Sequence, residues 1–291
     1  MLIRVKAKLG QLLPDNMYLR IQFRRIMGQN LNLKKPQTFN EKLQWLKIHD
    51  HNSDYIKLVD KYEVKGIVAN VIGEEHIIPT YGIWDSFEQI DFSKLPKQFV
   101  LKCTHDSGGL IICNDKEQLD IEAARKKINK CLQTNYYQFG REWPYKYVKP
   151  RIIAEKYMEE SGTVGLKDYK IHNFNGIPKI ILVCTGRFSE MGLCENFYNV
   201  EWKMLDLKRP NHLNMENKIP IPKKINKMLE YAKLLSKDYP FVRTDFYCID
   251  DKIYFGELTF YPASGFEKFE PEKWDNILGE WIDLSNVREN S

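Results

Sequence analysis

The chain has 291 residues and a formal net charge of +5, and 43% of its residues are hydrophobic and 13% aromatic. This length and composition allow a substantial buried core, which excludes intrinsic disorder, and so small a charge does not by itself indicate nucleic-acid binding. No apolar run approaches the roughly 20 residues that cross a bilayer, and the N-terminus has no secretory signal pattern. The six cysteines form no CxxC pair, so neither a zinc site nor a disulfide framework is expected. We therefore expect a cytoplasmic protein.

The first third of the chain is predicted to be mainly helical. Apolar side chains recur at helical spacing over residues 16–27, and Thr38 followed by Glu41 is a capping box that begins a second helix. A further helix is predicted over residues 53–71, and a short extended segment over residues 77–84. The basic residues of this third form a solvated face, a docking patch for an anionic membrane surface or a polyanionic product, or a nucleic-acid site. They are Arg4, Lys6, Lys8, Arg20, Arg24, Arg25, Lys34 and Lys35.

Strand patterns dominate the middle of the chain, with one helix between them. The predicted elements are β-type runs at residues 98–103 and 110–113, a helix at 117–134, an irregular connection at 143–150, a strand at 151–157 and a hairpin at 167–183. The hairpin is predicted to turn at Asn175-Gly176, because this dipeptide favours the tight turns that join antiparallel strands. Helices together with antiparallel hairpins predict an α+β fold.

A helix over residues 222–237 precedes a predicted hairpin that carries an arginine and two acids. Arg243 and Asp245 are two residues apart, so their side chains share one face of the first strand. A polar turn leads to the returning strand, where Glu257 and Thr259 share a face. In the simplest register the two carboxylates converge, and such oxygen ligands bind magnesium that is bridged to phosphates. The alternative is a surface hairpin with solvated acids.

The loop between the β-type runs at 98–103 and 110–113 has the features of an anion-binding turn. The small residues Ser107, Gly108 and Gly109 let backbone N–H groups approach phosphate oxygens, and Lys102 supplies a positive charge just before them. The loop is not a Walker motif, because the pattern GxxxxGK[ST] is absent. A tight hairpin turn without a ligand is the other interpretation.

Two later segments have the features of a nucleoside site. The strand over residues 151–158 leaves into a polar loop, so its exit offers main-chain groups to an adenine edge, with Tyr157 and Met158 as apolar walls. Asp168 and Lys170 share a strand face, which puts an acid for ribose hydroxyls beside a cation for phosphate. The alternatives are a core strand in the first case and a cross-strand salt-bridge face in the second.

In this order the segments resemble the ATP-grasp superfamily, and more narrowly the TupA-like ATP-grasp proteins of teichuronopeptide and capsular polysaccharide biosynthesis. The narrower resemblance rests on five stretches that run from residue 31 to residue 271. They are LNLKKPQTFNEKLQWLKI (31–48), KLVDKYEVKGIV (57–68), LKCTHDSGG (101–109), DYKIHNFNG (168–176) and RTDFYCIDDKIYFGELTFYPASGFEKFEP (243–271).

The resemblance implies an ATP-grasp fold in which two α+β lobes clamp a nucleotide. Its expected parts are a mainly helical region at residues 1–96, a lid at 97–158 and a C-terminal lobe at 159–291. The implied ATP-binding residues are Lys102, Ser107, Gly108, Gly109, Glu155, Lys156, Tyr157, Met158, Asp168 and Lys170. The implied Mg²⁺ ligands are Asp245, Glu257 and Thr259, and the implied catalytic residues are Arg243 and Lys102. Many ATP-grasp ligases carry asparagine where this chain has Thr259, so a second Mg²⁺ would be held partly by water.

The activity that the resemblance implies is ATP-dependent ligation of a carboxylate to an amine. The acid, a uronic acid or a similar precursor of a surface polysaccharide, would be activated as an acyl phosphate, and the amine would then displace phosphate. A glycosyltransferase or sugar kinase of the same pathway, and a nucleotide-binding scaffold without turnover, are the competing hypotheses. The candidates for the acceptor site are Arg187, Arg209, Lys203, His172 and the aromatic-rich stretch 188–202, each with a solvated or core role as its alternative.

Overall fold

The computed structural model contains two antiparallel sheets joined by helices, which confirms the predicted α+β class. The structure describes residues 13–106, 108–160, 165–187, 189, 192–210, 212–215, 219–285 and 287. Its α-helices are α1 (Asp15–Met27), α2 (Phe39–His49), α3 (Asp54–Val59), α4 (Glu63–Ile72), α5 (Ile121–Leu132), α6 (Tyr137–Gly140), α7 (Ile225–Ser236) and α8 (Lys273–Glu280). Its strands are β1 (Thr80–Trp84), β2 (Phe99–Cys103), β3 (Leu110–Cys113), β4 (Ile152–Lys156), β5 (Asp168–Phe174), β6 (Ile177–Thr185), β7 (Cys194–Asn199), β8 (Phe241–Ile249) and β9 (Lys252–Thr259).

The first sheet has four strands in the order β1-β4-β2-β3, and its core is small. Phe99 and Leu101 alternate along β2 and are fully buried, and α5 covers the sheet with Ala124 and Ile128. Alternating burial of this kind is expected for a sheet that is covered on one face by a helix. The other face is therefore left to form the wall of a cleft.

The second sheet has five strands in the order β7-β6-β5-β8-β9 and forms the larger core together with α2, α4, α7 and α8. The hairpin between β5 and β6 turns at Asn175 and Gly176, as predicted, with φ angles of 48° and 78°. Asparagine and glycine tolerate this left-handed backbone better than other residues. A Cβ at Gly176 would also lie 2.9 Å from the Cα of Lys237, so only glycine fits.

The helical N-terminal region agrees with the sequence in one place and departs from it in another. Thr38 caps α2 and forms the predicted capping box with Glu41. The single helix predicted over residues 53–71 is wrong, because α3 ends at Val59 and α4 begins at Glu63. Between them the Asp60 carboxylate accepts the backbone N–H groups of Tyr62 and Glu63 at 2.8 and 3.2 Å. This local hydrogen bonding competes with a continuous helix and starts a new one.

Other elements exist as predicted but have different limits. The helix predicted over residues 117–134 is α5, which begins at Ile121 because the Asp120 side chain accepts the Ala123 N–H at 2.9 Å and caps it. The strand β7, in the stretch where the sequence shows no clear pattern, pairs with β6. No helix among the described residues is long and apolar enough to cross a membrane. The basic residues Arg4, Lys6 and Lys8 lie outside the described residues.

Candidate functional site

A cleft with a volume of about 1050 Å³ lies between the two sheets. One wall comes from β2, β3 and β4, and the other from the beginning of β5 and from β8. Pockets of about this size bind nucleotide-sized ligands. The lining residues that the sequence singled out are Lys102, Glu155, Lys156, Tyr157, Met158, Asp168 and Arg187. Lys102 therefore meets Asp168 and the residues predicted for adenine in one cavity.

Glu155 lies between two lysines in the wall of the cleft. Its carboxylate is 2.5 Å from the Lys102 Nζ and also contacts the Lys65 Nζ. Lys65 donates further hydrogen bonds to the Ile78 carbonyl at 2.7 Å and the Thr80 hydroxyl at 2.9 Å. Burial would raise the pKa of Glu155, but the charges of Lys102 and Lys65 outweigh burial and lower it. The ionised Glu155 therefore holds both ammonium groups beside the cavity.

The glycine loop lies next to the cleft, and it packs against α5. Ser107 is outside the described residues. Of the described residues in and after the loop, Leu110 lines the cleft, whereas Gly108 and Gly109 do not. The Gly109 N–H donates to the Asp106 carboxylate at 3.1 Å, and the Gly109 carbonyl accepts the Cys103 N–H at 2.8 Å. In this conformation the Gly109 amide is engaged within the loop. A phosphate would have to displace the Asp106 carboxylate to reach it.

A chain of alternating charges runs across one face of the second sheet. The Lys170 Nζ lies 2.6 Å from the Asp168 carboxylate and 2.5 Å from that of Asp245. Arg243 donates to both oxygens of Asp245 at 2.7 Å, and its Nη2 also donates to Glu257 at 3.0 Å. The strands β8 and β9 pair in the predicted register, with Asp245 opposite Glu257. The carboxylates of Asp245 and Glu257 converge as expected, with the Arg243 guanidinium between them.

Thr259, at the end of β9, joins this chain of charged side chains through hydrogen bonds of its hydroxyl. Its hydroxyl accepts a hydrogen bond from the Arg243 Nη2 at 3.1 Å and donates one to the Glu257 carboxylate at 3.2 Å. Thr259 lies opposite Arg243 across the two strands. The four side chains Arg243, Asp245, Glu257 and Thr259 are therefore one hydrogen-bonded group.

Burial and neighbouring charges set the ionisation of this group. Burial would raise the pKa of Asp245, but the charges of Arg243 and Lys170 outweigh burial and lower it to about 2. Burial likewise disfavours the charged forms of Lys170 and Arg243, yet Asp245 raises the pKa of both. For Asp168 burial dominates over Lys170 and raises the pKa of the carboxyl. The network ends at Glu257, whose side chain is 45% accessible.

The oxygen donors of Asp245, Glu257 and Thr259 fit a magnesium ion that is shared with phosphates. Among the described residues, no three His, Cys, Asp or Glu side chains are grouped to hold a metal ion by themselves. Magnesium typically takes only one or two carboxylates from the protein and completes its shell with phosphate and water oxygens. Asp245 and Glu257 supply two carboxylates on facing strand positions, and a metal ion there would compete with Arg243, which now donates to both.

Lys61, which was not among the site residues predicted from the sequence, approaches the site from the turn between α3 and α4. Its Nζ donates to the Asp106 carbonyl in the glycine loop, and its backbone N–H donates to the Thr104 carbonyl at 3.1 Å. Burial lowers the pKa of Lys61, while Glu257 and Asp106 oppose burial. Lys61 and Lys65 are four residues apart across the start of α4. This spacing was visible in the stretch KLVDKYEVKGIV, but only the tertiary structure shows which loop it faces.

The acceptor candidates take different positions in the structure. Arg187 lines the cleft, with its guanidinium 3.9 Å from the Asp168 carboxylate. Arg209 bridges two acids, Glu195 at 3.2 Å and Glu267 at 2.5 Å. His172 is buried, and burial together with the charge of Arg243 lowers its pKa to about 3, so it is neutral. Lys203 is exposed and Phe188 lies outside the described residues.

A second buried polar cluster lies just past the end of β9. The Ser264 hydroxyl donates to the Glu142 carboxylate at 2.5 Å, and the Ser264 carbonyl accepts from the Lys47 Nζ at 2.6 Å. Lys47 also donates to the Gly140 carbonyl at 2.6 Å, and burial lowers its pKa to about 7. Ala263 and Ser264 both have left-handed backbones, with φ angles of 47° and 53°. Lys47 thus ties this strained turn to α2 and to the end of α6.

The fold resembles solved ATP-grasp structures at low sequence identity. D-alanine–D-alanine ligase from Helicobacter pylori is 14% identical, with a TM-score of 0.44 over 84% of this chain and 67% of that chain. The ATP complex of the Bacillus anthracis enzyme is 16% identical, with a TM-score of 0.41 over 70% of this chain and 55% of that one. The biotin carboxylase domain of Hydrogenobacter thermophilus 2-oxoglutarate carboxylase, bound to MgADP, is 14% identical, with a TM-score of 0.49 over 96% and 61%.

Sequence comparison identifies the family of the chain. Comparison with curated proteins gives no significant match. The sequence profile of the TupA-like ATP-grasp proteins, in contrast, matches residues 41–283. This stretch contains Lys61 and Lys65, the cleft between the sheets and the charged face of β8 and β9. The chain therefore belongs to the TupA-like ATP-grasp family.

Proposed function

We propose that the protein is an ATP-dependent ligase that joins a carboxylate to an amine through an acyl phosphate. The observation that carries the proposal is the charged face of Asp168, Lys170, Asp245, Arg243 and Glu257, which borders a cleft of nucleotide size. Phosphoryl transfer needs alignment and charge neutralisation more than a covalent protein group, and this arrangement offers both. It contains cations for the transferred phosphoryl group and carboxylates for its metal ion.

In this proposal the cleft binds ATP with the base at residues 155–158 and the ribose at Asp168. Tyr157 and Met158 provide apolar contact for the adenine ring, and the main chain of Glu155 and Lys156 pairs with its edge. The phosphates then extend toward the lysines held by Glu155 and by the glycine loop, which are Lys102, Lys65 and Lys61. Gly108 and Gly109 would close over them if residues 97–158 act as a lid.

The transfer step is assigned to the end of the cleft that contains the β8–β9 hairpin. Asp245, Glu257 and Thr259 would hold Mg²⁺ there, and the ion when bound would neutralise the phosphate oxygens. Arg243 faces the same point, where its guanidinium can stabilise charge on the phosphoryl group and on the carbonyl oxygen of the acid. A closed lid would exclude water, which otherwise hydrolyses an acyl phosphate.

The substrates are proposed by chemistry and by the family. The acid would be a uronic acid or a similar precursor of a surface or capsular polysaccharide, and the product an amide, with ADP and phosphate released. A reaction that consumes ATP requires the compartment that supplies it, so we place the enzyme in the cytoplasm. Arg187, which lines the cleft, and Arg209, which pairs with Glu195 and Glu267, are the candidate cations for an anionic sugar.

The experiment that tests this function traps the acyl phosphate with hydroxylamine. The purified protein is incubated with ATP, magnesium and a panel of acids that includes glucuronate, galacturonate and glutamate, and hydroxamate is measured together with ADP. Hydroxamate that forms only with ATP and with one class of acid would support the proposal. A matched reaction with Arg243→Lys should lose hydroxamate, because lysine cannot reproduce the paired contacts of the guanidinium.

The competing functions give different products in the same assay. Release of a nucleoside diphosphate from a sugar nucleotide, without ATP, would indicate glycosyl transfer and overturn the proposal. A phosphorylated sugar without hydroxamate would indicate a kinase. ATP binding without any turnover across the panel would favour a nucleotide-binding scaffold.

A further inference from the structure

The first described helix, α1, is buried on one side and exposes apolar residues on the other. Leu19 and Phe23 pack into a small satellite core with Leu31. On the opposite side, Met17 and Ile21 are one helical turn apart and both are exposed, Ile21 by 52%. Single exposed apolar residues are common on soluble surfaces, but two at this spacing form an apolar stripe.

A second exposed apolar segment lies against α1. Phe139 in α6 is 65% exposed, and Tyr147, in the segment that follows α6, is 59% exposed. The Tyr18 hydroxyl of α1 donates to the Phe139 carbonyl at 3.1 Å, which fixes α6 beside α1. Lys146 lies over the rings of both Tyr137 and Tyr147, at 5.6 Å from each. Met17 and Ile21 on α1, and Phe139 and Tyr147 on the segment beside it, are together called the α1–α6 surface.

This surface is strongly cationic. Arg20, Arg24 and Arg25 are exposed on the same helix as Met17 and Ile21, and Lys146 lies over the ring of Tyr147. Arg20 and Arg24 donate to neutral oxygens, the Leu31 carbonyl and the Asn30 side chain, and no ion pair to an acid joins these arginines within the described part of the chain. The acid of α1, Asp15, accepts from Tyr137 and lies 3.5 Å from Arg141.

We propose that the α1–α6 surface docks the protein on an anionic lipid membrane. Aromatic and aliphatic side chains surrounded by arginine and lysine match the boundary between acyl chains and negatively charged headgroups. The long side chains of Arg24 and Arg25 can reach phosphates while Ile21 and Phe139 enter the interface. A soluble polyanion would need only the cations and would leave the apolar stripe in water. This interaction is independent of the catalytic proposal, because none of these residues lines the cleft.

The test measures flotation of the full-length protein with two kinds of vesicle. One kind is phosphatidylcholine alone, and the other contains equal parts of phosphatidylcholine and phosphatidylglycerol. We expect binding to the anionic vesicles only. Arg24→Glu with Arg25→Glu should weaken this binding by roughly thirty-fold or more, because each lost cation near the surface costs about fivefold. Ile21→Asp and Phe139→Asp should each weaken binding to the anionic vesicles, although all the arginines are kept.

Matched controls separate docking from general charge and from misfolding. Lys126→Glu with Lys127→Glu changes the charge equally on the exposed side of α5, and Ile221→Asp alters an isoleucine that is 57% exposed elsewhere. Both controls should bind vesicles like the wild type, and every variant should keep the ATP affinity of the wild type. Equal loss in the controls, no preference for anionic vesicles, or binding that ignores Ile21→Asp and Phe139→Asp would overturn the proposal. In the last case, displacement by heparin would identify a polyanion site instead.

Discussion

Asp245 and Glu257 face each other across β8 and β9, yet their removal should affect stability very differently. Asp245 is 2% exposed and compensates both Arg243 and Lys170, with contacts of 2.5 to 2.7 Å. Asp245→Asn removes the shared counter-charge of these two buried cations, which leaves Asp168 for Lys170 and the half-exposed Glu257 for Arg243. Removing one partner of a buried ion pair costs about 3–5 kcal/mol of unfolding free energy. At about 2–4 °C per kcal/mol, the melting temperature should fall by roughly 6–20 °C.

Glu257→Gln is the matched variant, and we expect it to be nearly neutral for stability. The glutamine keeps an acceptor oxygen for Arg243 and Thr259, and the position is half exposed, so the cost should be below about 1 kcal/mol. Both variants should nevertheless lose the gain in ATP affinity that magnesium provides, because each removes one anionic ligand. Thermal unfolding and calorimetric titration of ATP with and without magnesium measure the two effects. Equal destabilisation by both variants would refute the burial argument, and a retained magnesium effect in either would refute the metal assignment.

Three further predictions concern the cleft, the glycine loop and pH. Lys102→Ala should weaken ATP binding by about 1.5–3 kcal/mol, the range for a hydrogen bond to a charged group, whereas Lys94→Ala on the exposed surface should not; unchanged affinity in calorimetry would remove Lys102 from the site. Gly109→Ala should destabilise the protein by about 1–3 kcal/mol in urea, because its Cβ would lie 2.7 Å from the Cys103 Sγ, whereas Gly108→Ala has no atom nearer than 3.8 Å and should be tolerated. The pKa of Asp245, about 2 in the folded state against 3.8 unfolded, contributes stability that is present above about pH 4 and lost toward pH 2. The stability difference between wild type and Asp245→Asn should therefore shrink over that pH range, and a constant difference would contradict the assignment.

Local sequence chemistry predicted those parts of the fold that depend on near neighbours. Thr38 with Glu41, and Asn175 with Gly176, identify a helix start and a turn because the groups that satisfy each other are within three residues. The alternation of Arg243, Asp245, Glu257 and Thr259 likewise follows from strand geometry alone. These positions could be assigned from the sequence because strand period and turn type determine which side chains share a face.

The remainder depends on contacts between distant segments. Asp60, which divides a helical pattern by accepting two backbone N–H groups, is held by Arg151 at 2.9 Å, 91 residues further along the chain. Lys61 and Lys65 reach the cleft only because α4 packs beside β4 and the glycine loop. Lys47 meets Ser264 across more than two hundred residues of chain. Spacing within one element contains no information about such partners.

The most direct test of the account is a calorimetric titration of ATP into the purified protein, with and without magnesium, and with GTP and a sugar nucleotide as controls. We expect ATP to bind tightly, to bind more tightly with magnesium, and to be preferred over GTP, because the proposal places the adenine at residues 155–158 of the cleft and the metal ion at the facing carboxylates of Asp245 and Glu257. Binding of the sugar nucleotide alone, or ATP binding that ignores both the base and magnesium, would contradict the ligase assignment.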